Sequence, residues 1–170
     1  MLSVLLTHKR SIFAFIFLAC AALLSTAYYM EYVQGLDPCP LCMAQRLVFM
    51  ALAITALIGL VHGSTGLANK IYASVLTLFA LGGAAIATRQ VWLQSLPADQ
   101  VPACGPGFDY IMGAFPLLKA VETLWKGSGS CAEVVWQFLG LSIAGWALVW
   151  FVGFALLGIY QALRKFPKVS

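Results

Sequence analysis

The sequence predicts an all-α integral membrane protein: a four-transmembrane-helix bundle with two loops on the outer side and a short interfacial helix. Three observations carry that prediction. The composition is 62% hydrophobic and only 9% charged, where soluble domains carry roughly a quarter charged residues. The apolar residues gather into four runs, each near the roughly 20 residues a helix needs to cross a hydrocarbon core. Basic and acidic residues also segregate between different connections. A soluble globular protein and a disordered chain are both excluded by this composition. The net charge of +4 is dispersed along the chain, which gives no nucleic-acid-binding patch. The length of 170 residues leaves room for one membrane domain, 1–170.

The first span covers about 11–30, an apolar run preceded by Lys9 and Arg10. A first loop, about 31–41, leads to the second span at about 42–62, broken only by Gln45 and Arg46 near its start. The third span, about 71–89, closes on Arg89; a long second loop, about 90–137, precedes the fourth span at about 138–161. Lys9, Arg10, Lys70, Arg164, Lys165 and Lys168 occupy the two tails and the middle connection, while all six acids fall in the other two connections. The positive-inside rule therefore places both termini in the cytoplasm and both acidic loops outside. A cleaved signal peptide over residues 1–27 is the competing reading of the first run, with Ser25-Thr26-Ala27 as its cleavage site. The run is longer than the usual signal core of about 7–15 residues, which favours a retained span. Within the long loop, 109–125 reads as an amphipathic helix on the membrane surface, with Ile111, Met112, Phe115, Leu118 and Trp125 on one side. A loop packed on the helix ends is the alternative, because Pro116 interrupts the pattern.

Four of the five cysteines, Cys39, Cys42, Cys104 and Cys131, lie in the outer loops or at their membrane edge. Cys20, within the first span, is a small apolar packing residue. Two cysteines per loop on the oxidising side invite two intraloop disulfides. Such bridges can be structural staples. For Cys39-Pro40-Leu41-Cys42 that role is weak, because so small a ring removes little entropy from the unfolded chain, whereas a C-x-x-C pair suits thiol–disulfide exchange. Zinc is the competing chemistry for four thiolates, but Cys104 and Cys131 lack the close clip spacing of a second C-x-x-C, and no histidine lies in the outer loops. The residue after Cys42 is Met43, which removes c-type haem attachment.

Asp37-Pro38-Cys39-Pro40 reads as a helix start, since Asp is a favoured N-cap and Pro is tolerated in the first turn. Cys42 then falls in the opening turn of the second span, where unpaired amide N–H groups favour a thiolate. Arg46 lies one turn beyond on the same face. An arginine at that depth meets an anionic or polar partner, or snorkels to lipid phosphate. Arg89 reads as an interfacial anchor. Ser130-Cys131-Ala132-Glu133 matches the capping-box pattern, with Cys131 as the first helical residue. Gly127-Ser128-Gly129 and Gly105-Pro106-Gly107 frame the second pair with turn-forming backbone.

Together the runs 37–46 (DPCPLCMAQR), 89–97 (RQVWLQSLP), 104–106 (CGP), 129–133 (GSCAE) and 138–141 (FLGL) resemble the disulfide bond formation protein B (DsbB) family over nearly the whole chain. The resemblance implies a multi-pass enzyme of the bacterial inner membrane, a protein-dithiol:quinone oxidoreductase. Such an enzyme reoxidises the periplasmic thioredoxin-like oxidase DsbA and passes electrons to ubiquinone or menaquinone. It also implies that Cys104 is attacked by the reduced partner and is paired with Cys131, and that electrons then reach Cys39 and Cys42. Cys42 is implied as the quinone-facing thiolate, with Arg46 and Gln94 at the quinone site. Cys20 is outside the family motif. The non-enzymatic alternative is a membrane scaffold whose disulfides are only structural.

Overall fold

The computed structural model describes residues 9–62, 66–97, 99–103, 110, 111, 113, 116, 118, 119, 122, 125 and 127–164. Among the described residues four helices are long and apolar enough to cross a membrane: α1 (Lys9–Tyr32), α2 (Pro40–His62), α3 (Leu67–Gln94) and, at the far end of the chain, α5 (Ile143–Leu163). Between the last two lie a single turn, α4 (Gly129–Ala132), and a two-stranded hairpin, β1 (Gln137–Phe138) with β2 (Leu141–Ser142). Helix is the form these runs must take, because hydrocarbon offers no partner for a free backbone amide or carbonyl. The exposed side chains on the flanks, Leu18, Ile54, Leu78, Val152 and Leu156 among them, are apolar, as lipid contact requires.

The long helices share one core. Phe13, Ile16 and Cys20 of α1 meet Phe49, Leu52 and Ala56 of α2, Leu76, Ala80 and Ala87 of α3, and Phe151, Phe154 and Ala155 of α5. Packing is most extensive between α3 and α5. Small residues make that seam possible: a Cβ at Gly83 would lie 2.4 Å from the Phe151 ring, which in turn stacks on Phe49 with centroids 4.1 Å apart. Close approach through small residues is the usual device where lipid removes the hydrophobic drive between helices. The buried Cys20 sits among these packing side chains.

The boundaries that shape the cysteine end differ from the sequence reading. The helix α2 starts at Pro40, and Asp37 is exposed and outside it. The N-cap position falls to Cys39, whose sulfur accepts a hydrogen bond from the Cys42 N–H at 3.2 Å while its carbonyl accepts from the Met43 N–H at 3.0 Å. The helix α3 continues past Arg89 to Gln94 and caps on Ser95. A charged residue ends a hydrophobic run without ending a helix, and 28 residues at 1.5 Å each give about 42 Å, longer than the hydrocarbon core of about 30 Å. The fourth span begins at Ile143, not 138, because residues 137–142 turn back on themselves. Leu139 and Gly140 both have positive φ, 51° and 79°, the backbone of a tight type I′ hairpin. Ser142 then caps α5, its Oγ accepting from the Gly145 N–H at 3.2 Å.

Up-and-down connectivity puts the 33–39 and 95–142 connections at one end of the bundle, here the cysteine end. The start of α1, the α2–α3 connection and the end of α5 lie at the opposite end. Of the segment expected as a surface helix, residues 110, 111, 113, 118, 119, 122 and 125 are helical, and the others lie outside the described residues apart from Pro116.

Candidate functional site: three sulfurs and an apolar cleft

Because Cys39 ends the incoming loop and Cys42 opens α2, one helical turn brings their sulfurs face to face at 2.7 Å. Gln90, on the part of α3 that runs beyond Arg89, donates its amide Nε2 to both, at 3.3 Å to Cys39 and 3.2 Å to Cys42. Gln45 of α2 donates in turn to Gln90 Oε1 at 2.6 Å. Both glutamines are buried, at 5% and 3% exposure. Sequence reasoning noted Gln45 only as an interruption of an apolar run and missed Gln90. The available signal was a pair of uncharged polar residues near the cysteine ends of antiparallel spans, where each must find a partner.

Cys131 joins this pair. It is fully buried with Cys39, Leu41 and Leu93, and its side chain hydrogen-bonds that of Cys39. The route there depends on Gly127, whose φ of 74° suits glycine, and where a Cβ would meet Leu93 Cδ1 at 2.5 Å. The capping box expected at 130–133 does not form. Ser130 lies inside the turn, the N-cap is Ser128 with no side-chain cap bond, and Glu133 is the extended, exposed C-cap. The turn starts two residues earlier than the pattern suggests, at Gly129, and the Cys131 N–H bonds the Ser128 carbonyl at 2.9 Å. The Cys131 thiol is held well below its ordinary range, first by the hydrogen bond from Cys39 and then, against the opposing cost of burial, by the Leu41 and Ser128 backbone. Cys39 is pushed up as the donor to Cys131 and Cys42, and by burial. Between Cys39 and Cys131, Cys131 is therefore the readier to ionise. Cys104 and 105–107 lie outside the described residues.

Arg46 finds a protein partner. It forms an ion pair with Glu31 at the end of α1, donates to the Ala27 carbonyl at 3.0 Å and lies over the Tyr28 ring, 5.1 Å from its centroid. The pair is mostly enclosed, at 11% and 21% side-chain exposure. Cys42, Gln45 and Arg46 together line a cleft of about 370 Å³ between α1, α2, the hairpin and α5. Its other walls are apolar and aromatic: Leu23, Met30, Phe49, Trp136, Phe138, Trp146 and Trp150 contribute. The Trp146 indole N–H donates to the Phe138 carbonyl at 3.0 Å and so ties the hairpin to α5. Gln94 stands outside this lining, where its Oε1 accepts from the Ser142 hydroxyl at 2.6 Å. Arg89 donates to the Trp125 carbonyl at 3.0 Å and stacks on Trp92.

Chemically, the arrangement offers adjacent thiols, one of which opens onto a greasy slot that also presents a guanidinium. A family model described as "Disulfide bond formation protein DsbB" matches residues 9–161. The chain is 51% identical to "Disulfide bond formation protein B" of Marinobacter nauticus, over 93% of this chain and 94% of the relative. It is 49% identical to the protein of the same name from Hahella chejuensis, over 92% and 95%. It is also 42% identical to "Disulfide bond formation protein B 1" of Pseudomonas aeruginosa, over 94% and 98%.

Proposed function

The chain belongs to the disulfide bond formation protein B family, a family of membrane proteins that form disulfides, and on that premise we propose that it is a protein-dithiol:quinone oxidoreductase. In this reading it reoxidises a periplasmic thioredoxin-like (DsbA-like) oxidase and passes the electrons to a membrane quinone, ubiquinone or menaquinone. The observation that carries it is the position of Cys42, which touches Cys39 on one side and lines an apolar cleft with Arg46 on the other. The cysteine end then faces the periplasm of a bacterial inner membrane, and Arg10, Lys70 and Arg164 at the opposite end face the cytoplasm, as the positive-inside rule requires.

The cleft lining fits a quinone headgroup: its aromatic walls would hold a flat ring, and the Arg46 guanidinium would supply a donor for a carbonyl oxygen. A quinone bound there supplies the oxidant, taking up two electrons and two protons. The remaining work belongs to sulfur. The reduced partner attacks the Cys104–Cys131 disulfide at Cys104, leaves as a disulfide and so delivers two thiols to this pair. Cys131, packed against Cys39 and lowered by hydrogen bonds from the Leu41 and Ser128 backbone that persist when Cys39 is oxidised, attacks as a thiolate Cys39 of an oxidised Cys39–Cys42 bridge and releases Cys42 as a thiolate. Attack by the Cys104 thiolate on Cys131 frees Cys39 and restores the Cys104–Cys131 bridge, so both electrons now sit on Cys39 and Cys42 beside the cleft. Each exchange breaks one disulfide and makes one, and it leaves on Cys39 and Cys42 the two electrons that a bound quinone would accept.

Anaerobic reduction of a soluble quinone, driven by a reduced thioredoxin-like dithiol partner, tests this directly. The wild type turns over, while Cys42→Ser and Cys104→Ser each lose on the order of 10³-fold or more. Full activity in either variant would overturn the assignment.

A further inference from the structure

The electron route above uses four sulfurs and a guanidinium and leaves the two buried glutamines without a part. We propose that Gln90 holds negative charge on the Cys42 sulfur and that Gln45 is its positioning residue, turning the Gln90 amide so that its N–H groups face the sulfurs. The inference deepens the reading of Cys42 as the electron-donating thiol. A glutamine amide has a donor end and an acceptor end of nearly the same size, so Gln90 by itself could present either to Cys39 and Cys42. Nitrogen toward the sulfurs stabilises a thiolate, whereas oxygen there repels it. With its own amide nitrogen turned toward Gln90, Gln45 favours the first. Its Nε2 lies 2.6 Å from Gln90 Oε1, so reversing Gln90 would set two NH2 groups against each other. Both residues are buried, which leaves little water to compensate such a clash and strengthens the bonds that are made. The observed orientation places Gln90 Nε2 at 3.2 Å from Cys42 and 3.3 Å from Cys39, one N–H available for each. Gln45 also lines the cleft, so the orienting contact sits beside the place where the electron acceptor would bind.

Alkylation of the reduced full-length protein by iodoacetamide, followed cysteine by cysteine in peptide digests, tests the pair without any quinone turnover. Methionine is close to glutamine in size and has no amide, so Gln90→Met removes the donor and Gln45→Met removes only the orienting contact. Loss of a hydrogen bond to a charged group slows Cys42 alkylation at neutral pH by about tenfold in Gln90→Met. Gln45→Met slows it by about twofold to threefold, because a freed amide spends part of its time reversed. The double variant matches Gln90→Met, since Gln45 acts only through Gln90. A wild-type rate in Gln90→Met, or losses that multiply in the double variant, would overturn the proposal. Buried Cys20 reports folding in the same digest by staying unlabelled. Where a variant exposes it, Gln45→Asn or Gln90→Asn, which withdraws the amide by one methylene, is read instead and must give the same ordering. If Cys42 follows this pattern while the wild type reduces no quinone, the acceptor assignment fails and the role of the amides stands.

Discussion

Each end of the bundle buries a pair of amide side chains between helices, and the two pairs do different things. At the cysteine end, Gln45 and Gln90 join α2 to α3, and the free donor of the pair points at two sulfurs. At the opposite end, Asn69 of α3 and Gln161 of α5 close on each other: Gln161 Nε2 donates to Asn69 Oδ1 at 3.0 Å, and Asn69 Nδ2 reaches the Gln161 carbonyl at 3.5 Å. Burial and interhelical bonding are alike at both ends. What differs is the company: thiols, a guanidinium and an open cleft at one, backbone and packed small residues at the other. A buried amide in a membrane bundle is therefore helix-joining glue by default, and becomes part of a site only when one of its ends is spent on a reactive group.

The comparison breaks most visibly at Arg46. Arg46→Leu leaves the mostly enclosed Glu31 carboxylate without its partner, and loss of one member of a buried pair costs about 3 kcal/mol or more. Quinone reduction should fall at least about a hundredfold if the guanidinium that lines the cleft is the donor proposed above; steady-state kinetics and denaturant unfolding in detergent measure both. Unchanged turnover would remove Arg46 from the site. The opposite end sharpens the contrast. Asn69→Leu with Gln161→Leu should lower stability by about 1–2 kcal/mol, the range for interhelical side-chain bonds in membranes, with quinone turnover per folded molecule unchanged. A turnover defect without unfolding would mean that this pair, too, communicates with the site.

The smallest effect is one of ionisation. Cys131 is lowered chiefly by the hydrogen bond from Cys39, so its proton leaves below the ordinary thiol range and its thiolate persists at neutral pH. Cys39→Ala removes that donor and should move the step upward, toward the ordinary value. Ultraviolet thiolate absorbance of the reduced protein, titrated against pH with and without Cys39, reads the shift. A step that stays put would separate Cys131 from Cys39 and with it the route between the two cysteine pairs.

How far the sequence was legible depended on how local each feature was. The four spans follow from the apolar runs, because the cost of bare backbone in hydrocarbon leaves helix as the only choice. Their ends were harder. Arg89 looked like a terminus, yet α3 runs five residues further, since hydropathy reports the membrane and not the hydrogen-bond ladder. Residues 138–142 continued an apolar run and still folded as a hairpin, decided by positive φ at Leu139 and Gly140. The pattern at 130–133 promised a cap, and the chain placed its turn two residues earlier.

By itself the sequence determined the membrane class, the pairing of Cys39 with Cys42 on one helical turn, and the presence of Arg46 one turn beyond. All of these are set by neighbours within a few residues. Tertiary structure alone decided that Cys131 rests against Cys39, that Glu31 answers Arg46, and that Gln45 orients Gln90 beneath the sulfurs. It also decided that Gln94 ties α3 to the start of α5 and lies outside the cleft. Those meetings join residues on different helices and loops, and their partners are chosen by which faces pack together, a property no single segment carries.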